Sequence, residues 1–165
     1  METKPQTSRE YFRLMLIIYF ALVAGQVMFG LIVAFLRLAG DFSMELSEMK
    51  DIFLILSCVF AAGGYLGGRI LFRKMMVSAR DRASLAEKMA NYRSAMIVRY
   101  ALLEGATFFT IIACLITGDF LFLGFAGFLV LIFVTMPPTR NNAIRDLELS
   151  PAEEREILDP EAVIY

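Results

Sequence analysis

Four stretches of the chain are almost wholly apolar, and polar or charged residues separate them. They lie at residues 14–36, 52–72, 95–116 and 120–136. A helix rises about 1.5 Å per residue, so about 20 apolar residues cross the hydrocarbon core of a bilayer. Pro137 and Pro138 end the fourth stretch, because proline cannot continue a helix. The pattern predicts an all-α integral membrane protein whose four transmembrane helices occupy these stretches.

Short connections predict how the spans are arranged. Only residues 117–119 separate the third span from the fourth, and so short a turn makes the two helices pack antiparallel. We expect a four-helix bundle of two antiparallel hairpins over residues 1–136, followed by an acidic tail over 137–165. In the tail, Ser150, Pro151 and Glu153 have the spacing of an N-cap, an N1 proline and an N3 acid. This spacing predicts a short helix that reaches about Leu158.

One sequence pattern recurs along the chain. Residues 39–42 and 117–120 share the order small residue, Gly, Asp, Phe, and the same offset aligns Gln26 with Glu104. A duplicated helical hairpin would explain both matches, as in membrane proteins with parallel repeats. The alternative is chance, because Gly-Asp is a common pair at helix ends and weak internal symmetry is easily over-interpreted.

The composition removes most enzyme chemistry. The chain is 58% hydrophobic and 20% charged, has a mean hydropathy of +0.63, and contains no His and no Trp. A His-ligated haem, a His-containing metal site and a His-based triad are therefore excluded. Cys58 and Cys114 lie in apolar runs, so we interpret both as buried hydrophobic residues. No nucleotide-binding loop or hydrolase motif is present, and we expect no catalytic residue, no metal and no cofactor.

Lysine and arginine positions predict the orientation of the spans. Of the 16 basic residues, all except Arg37 and Lys50 lie before the first span, around the segment between the second and third spans, or after the fourth. Positive charge is retained on the cytoplasmic side. Both termini should therefore be cytoplasmic, in a multi-pass protein of the bacterial inner membrane.

The basic loop over residues 73–94 looks helical, because Ser84 and Glu87 have the spacing of a capping box. Its positive charge is explained by topology alone, while contact with anionic lipid or with an acidic partner protein is the alternative. The loop and the acidic tail have opposite charge on the same side, so they either dock, within one subunit or between neighbours, or leave the tail solvated. Nucleic-acid binding is not expected, since the basic segment is short and adjacent to the membrane.

Glu104 is the main candidate for an intramembrane functional residue, because it lies about ten residues into the third span. It could be a protonatable coupling group, or a protonated carboxyl hydrogen-bonded to Gln26 or Tyr65. Arg99 precedes it by five residues and does not share its face. Tyr100 does share that face, either lining a pocket or packing.

The second span contains the sequence GGYLGG, in which Gly63 with Gly67 and Gly64 with Gly68 form two overlapping GxxxG pairs. Such pairs let two helices approach closely in a membrane. We expect tight packing there, within the bundle or between copies of the chain.

The stretch from residue 92 to residue 119, with YRSAMIVRYALLEG followed by ITGDF, resembles a group of small bacterial four-helix inner-membrane proteins of uncharacterised function. That resemblance implies a topology and no reaction. A membrane glutamate also makes the chain similar to small multidrug resistance transporters, but theirs lies in the first helix, where this chain has Gln26.

These features favour a non-enzymatic accessory or structural subunit, in a homo-oligomer or a larger membrane complex embedded in the lipid bilayer. The alternative function is a small proton-coupled transporter or channel that uses Glu104.

Overall fold

The computed structural model describes residues 6–40 and 47–164, and this part of the chain is all-α. Its β pairing is limited to one bridge, between Thr7 and Val163. A short 3-10 turn, Ser47–Met49, precedes the second helix. The α-helices are α1 (Ser8–Ala39), α2 (Lys50–Arg80), α3 (Leu85–Thr117), α4 (Leu121–Val134), α5 (Arg140–Leu147) and α6 (Pro151–Leu158).

Three of these helices, α1, α2 and α3, are long and apolar enough to cross a membrane. The fourth predicted span, over 120–136, corresponds to α4, which has only 14 residues. At about 1.5 Å per residue that is about 21 Å, shorter than a hydrocarbon core of about 30 Å. A glycine turn before α4 and a proline pair after it limit its length.

The three long helices extend beyond the predicted spans, so the expected loop over 73–94 is largely helical. α2 continues to Arg80 and α3 begins at Leu85, which leaves a turn over 81–84. The Ser84 hydroxyl accepts a hydrogen bond from the Glu87 amide at 3.2 Å. This bond pairs one of the free amides that the first turn of a helix presents.

The turn between α3 and α4 depends on Gly118, whose φ of +75° is a left-handed conformation that favours glycine. The Asp119 carboxylate accepts from the Leu121 amide at 2.8 Å, which pairs a free amide at the start of α4. Gly40 follows α1 with a φ of +74°. The two glycines of the recurring pattern thus end α1 and α3 in the same way, while Asp41 and Phe42 lie outside the described residues.

Contacts divide the chain into two compact units, and α1, α2 and α3 contribute to both. The first unit comprises Met1–Phe20, Arg69–Val98 and Pro137–Tyr165, and the second comprises Ala21–Gly68 and Arg99–Met136.

The first unit folds the tail against the start of the chain. The free amides of Ser8 and Arg9, at the start of α1, donate to the carbonyls of Ala162 and Pro160 at 2.9 and 3.1 Å. The buried Ser8 hydroxyl donates to the Ile157 carbonyl at 2.6 Å. The last residues of the tail therefore cap α1, since the first amides of a helix have no partner within it.

Tail and basic segment are also joined within this unit. Lys88 pairs with Glu153 at 2.7 Å, and Arg80 pairs with Glu148 at 2.7 Å. Arg80 also donates to the Asp146 carbonyl near the end of α5, at 3.0 Å. Of the two outcomes considered for the tail, docking within one chain is the one the structure contains.

The short helix in the tail forms where its capping signal places it. The Ser150 hydroxyl and the Glu153 carboxylate complete a reciprocal capping box, with Pro151 as the first helical residue. The sequence pattern missed α5, which Thr139 caps through a hydrogen bond from the Asn142 amide at 3.2 Å.

The second unit has its core where α1, α3 and α4 meet. Its buried cluster consists of Val33, Ile111, Ala113, Cys114, Phe122 and Ala126. Cys114 is buried as expected, but the prediction for Cys58 was wrong, because Cys58 is exposed. The buried stripe of α2 passes through Ser57, Ala61 and Gly64, and a residue next to that stripe is turned away by about 100°.

Candidate functional site

Gln26 is a buried polar residue in the middle of α1. It is 1% exposed, and its Nε2 donates to the Leu22 carbonyl at 3.3 Å. Its Oε1 accepts no hydrogen bond from the described part of the chain. An unpaired buried acceptor costs about 1–3 kcal/mol, so the Gln26 side chain lowers the free energy of unfolding.

A cavity of about 270 Å³ adjoins Gln26 in the second unit. α1, α3 and α4 form its walls, which are otherwise apolar and include Gly30, Leu31, Ile111, Leu123 and Val130. Such a surface suits an apolar chain better than a charged ligand.

Glu104 lies on α3 with its side chain half-buried. Neither a hydrogen bond nor an ion pair joins Glu104 to another residue of the described ranges. The structure therefore does not form the predicted hydrogen bond to Gln26, which is directed to Leu22, or to Tyr65, which is 36% exposed.

Tyr100 packs against α4. It is 1% exposed, its hydroxyl donates to the Met136 carbonyl at 2.8 Å, and its ring stacks on Phe133 with centroids 4.9 Å apart. Arg99, one residue earlier, lies beside Gly68 of α2, with its Cγ 3.5 Å from a Cβ built there. Of the four candidate residues, Gln26 alone lines the cavity of about 270 Å³.

The GGYLGG sequence of α2 has two different faces. A Cβ built on Gly64 would lie 2.6 Å from the Leu102 carbonyl oxygen, and Gly68 faces the backbone of Arg99 at 3.5 Å. Gly64 and Gly68 therefore let α2 approach α3 closely. A Cβ built on Gly63 or on Gly67 would meet nothing within 4 Å, so this second pair is not used by the described part of the chain.

The residues around Gly63 and Gly67 form a continuous apolar surface on α2. Val59, Leu66 and Ile70 lie on the same side of the helix and are 61%, 54% and 65% exposed. We call this surface, formed by Val59, Gly63, Leu66, Gly67 and Ile70, the outer face of α2. Nothing on it is charged.

Arg37 and Lys50, the two exceptions in the charge pattern used to orient the spans, lie near the C-terminal end of α3. Arg37 donates to the Leu115 carbonyl and its guanidinium lies 3.5 Å from a Cβ built on Gly118. A cation is favoured there because the last carbonyls of a helix carry partial negative charge. The sequence feature that could have predicted this contact is a single Arg at the end of an apolar span.

Lys50 forms an ion pair with Asp119 in the turn after α3. The hydrogen bond to Asp119 raises the pKa of Lys50, and the same bond lowers the pKa of Asp119. Both side chains are partly exposed, at 43% and 28%, and lie outside the apolar spans, so solvent screening keeps the contribution of the pair to stability small.

No cluster of metal-ligating residues exists among residues 6–40 and 47–164: no three His, Cys, Asp or Glu side chains come together there. Comparisons of the chain with protein-family models, with curated proteins and with solved structures gave no match. The resemblance of residues 92–119 to small bacterial four-helix membrane proteins stays a prediction.

Proposed function

We propose that the chain is a non-enzymatic assembly subunit of a membrane, which binds a transmembrane helix of a second copy or of another protein through the outer face of α2. The observation that carries this proposal is that the two glycine pairs of GGYLGG have different surroundings. Gly64 and Gly68 are used in the contact with α3, while Gly63 and Gly67 lie in an open apolar surface. Van der Waals packing at small residues drives helix association in lipid.

In this proposal α4 crosses the bilayer as the fourth helix of a bundle. Phe120, Thr135 and Met136 extend its apolar length on both sides, and local thinning of the bilayer accommodates the remaining difference at modest cost. Both termini face the cytoplasm of a bacterial cell, because 14 of the 16 basic residues then lie on that side.

The test is purification of the tagged chain from its native membrane in mild detergent, beside a second copy with a different tag. Stoichiometric partners are identified by mass spectrometry. Gly63→Ile fills the open face and should abolish the association. Gly25→Ile is the matched control, since a Cβ on Gly25 of α1 also meets nothing within 4 Å, and it should leave the association intact. An assembly that survives Gly63→Ile, or a chain that elutes alone as a monomer, contradicts the proposal.

A second candidate function is a small proton-coupled transporter or channel. It is favoured by one observation, the half-buried Glu104 with no bonding partner in the described ranges. It is disfavoured by the absence of a second acid near Glu104 in the span, because proton relays use several titratable groups in series. Glu104→Gln should abolish pH-driven flux in proteoliposomes if this function is correct, and should leave assembly unchanged.

A further inference from the structure

One face of α1 changes from cationic to apolar within three turns. Arg9, Arg13, Ile17 and Phe20 follow one another at helical spacing and therefore lie on the same side of the helix. They line a cavity of about 480 Å³ in the first unit. Ile17 and Phe20 are 56% and 62% exposed, so the apolar half of this cavity is open along the helix.

The tail supplies a third guanidinium to the same cavity. Arg140, the first residue of α5, donates from Nε to the Ser8 hydroxyl at 3.4 Å. Its Cζ lies 5.5 Å from the centroid of the Phe12 ring, in a cation–π contact. Phe12 is 5% exposed, so the ring is a fixed support. Docking of the tail therefore positions the charge of Arg140 beside those of α1.

Among the described residues that line this cavity none is an acid, so they do not neutralise its positive charge. Arg9 pairs with Glu161 at 3.2 Å, but both side chains are mostly exposed, at 69% and 73%, and such pairs are weak. Arg13 is exposed and forms no hydrogen bond or ion pair with the described residues. An anion at this place gains up to three guanidinium contacts, which is the chemistry that binds phosphate.

We propose that this cavity binds one anionic phospholipid, with its phosphate at Arg9, Arg13 and Arg140 and an acyl chain along Ile17 and Phe20. The apolar half selects a lipid over a free phosphate ion, because a small anion would leave that half uncovered. Arg13 lies directly before the first predicted span, at residue 14, so the cations lie at the depth of the headgroups. The inference rests on the membrane placement proposed above and is independent of the outer face of α2.

The test compares lipid retention by native mass spectrometry in an uncharged detergent. The probes are phosphatidylglycerol, phosphatidylcholine and inorganic phosphate. Arg13→Gln removes an exposed, unpaired cation and should leave the helical circular dichroism spectrum unchanged. Arg82→Gln is the matched control, because Arg82 is also exposed, in the turn before α3, and its loss changes the net charge equally.

The wild-type chain should retain phosphatidylglycerol in preference to phosphatidylcholine, and millimolar inorganic phosphate should not displace it. Arg13→Gln should lower the affinity for phosphatidylglycerol by about fivefold, while Arg82→Gln changes it by less than about twofold. Equal losses in the two variants would indicate general charge attraction and overturn the site. Equal retention of both lipids, or displacement by inorganic phosphate, would overturn it as well. Gly63→Ile should not affect lipid retention, so failure here is separable from failure of the assembly role.

Discussion

Gly64→Ala should destabilise the fold, whereas Gly63→Ala, one residue earlier on α2, should not. A Cβ on Gly64 would lie 2.6 Å from the Leu102 carbonyl oxygen and 3.3 Å from the Ala106 Cβ. The 2.6 Å contact is with backbone, so α2 must move away from α3, and overpacking of this kind costs about 1–3 kcal/mol. Gly63→Ala meets open space and gains about 0.5–1 kcal/mol of helix propensity. Gly64→Ala gains the same propensity because it lies in the same helix, so the two variants should differ by the overpacking cost alone, about 1–3 kcal/mol.

The assay is thermal unfolding in one detergent, followed by circular dichroism at the helical band, with the wild-type chain as reference. Gly64→Ala should melt several degrees below the wild type and Gly63→Ala at or above it. Equal melting temperatures for the two alanine variants would refute the assignment of Gly64 to the α2–α3 contact. A loss confined to Gly63→Ala would show that the two faces of α2 are exchanged.

Three further predictions concern single side chains. Gln26→Leu removes the unpaired Oε1 and should raise stability by about 1–2 kcal/mol in the same melting assay; a lower melting temperature would mean that this atom has a bound partner. Tyr100→Phe removes the hydroxyl that donates to Met136 at 2.8 Å and should cost about 1 kcal/mol, with no loss if that bond is absent. Burial alone would raise the pKa of Glu153, but hydrogen bonds from Lys88 and Ser150 outweigh burial and hold the pKa below its ordinary value of 4.5. A carboxyl group with a lowered pKa stabilises the fold above pH 4.5. This stabilisation is lost as the pH falls through the lowered pKa. Hydrogen exchange in α6, corrected for the intrinsic rate, should therefore lose protection below pH 4.5 in the wild type, and Glu153→Gln should flatten that dependence.

The helical content could be predicted because its signals are local. Apolar length marks α1, α2 and α3, a left-handed glycine ends α3, and Ser150 with Glu153 caps α6. α5 was missed because it is amphipathic and only 8 residues long, too short for a periodic pattern. Cys58 was misplaced because an apolar span has no polar face, so its composition does not reveal which side is buried.

The candidate site could be predicted only in part, because it depends on contacts between distant residues. GGYLGG indicates close helix packing, but which pair of glycines meets α3 depends on where α3 lies. Gln26 and Glu104 are at equivalent positions of the recurring pattern, yet one is fully buried and the other half-buried. Different residues pack around the two positions, and the spacing between the positions in the sequence does not reveal those neighbours. The proposed phospholipid site on α1 likewise needs Arg140, which lies beside α1 only because the tail is docked there.

The most direct test of the assembly role is photo-crosslinking in the native membrane from the outer face of α2. A photoactivatable side chain replaces Val59, which is 61% exposed beside Gly63, and the control carries it at Leu31 of α1, which is 65% exposed. Irradiation should give one discrete protein adduct from position 59 and only lipid adducts from position 31. Lipid adducts alone at both positions, or the same protein adduct at both, would contradict the assignment of this face to assembly.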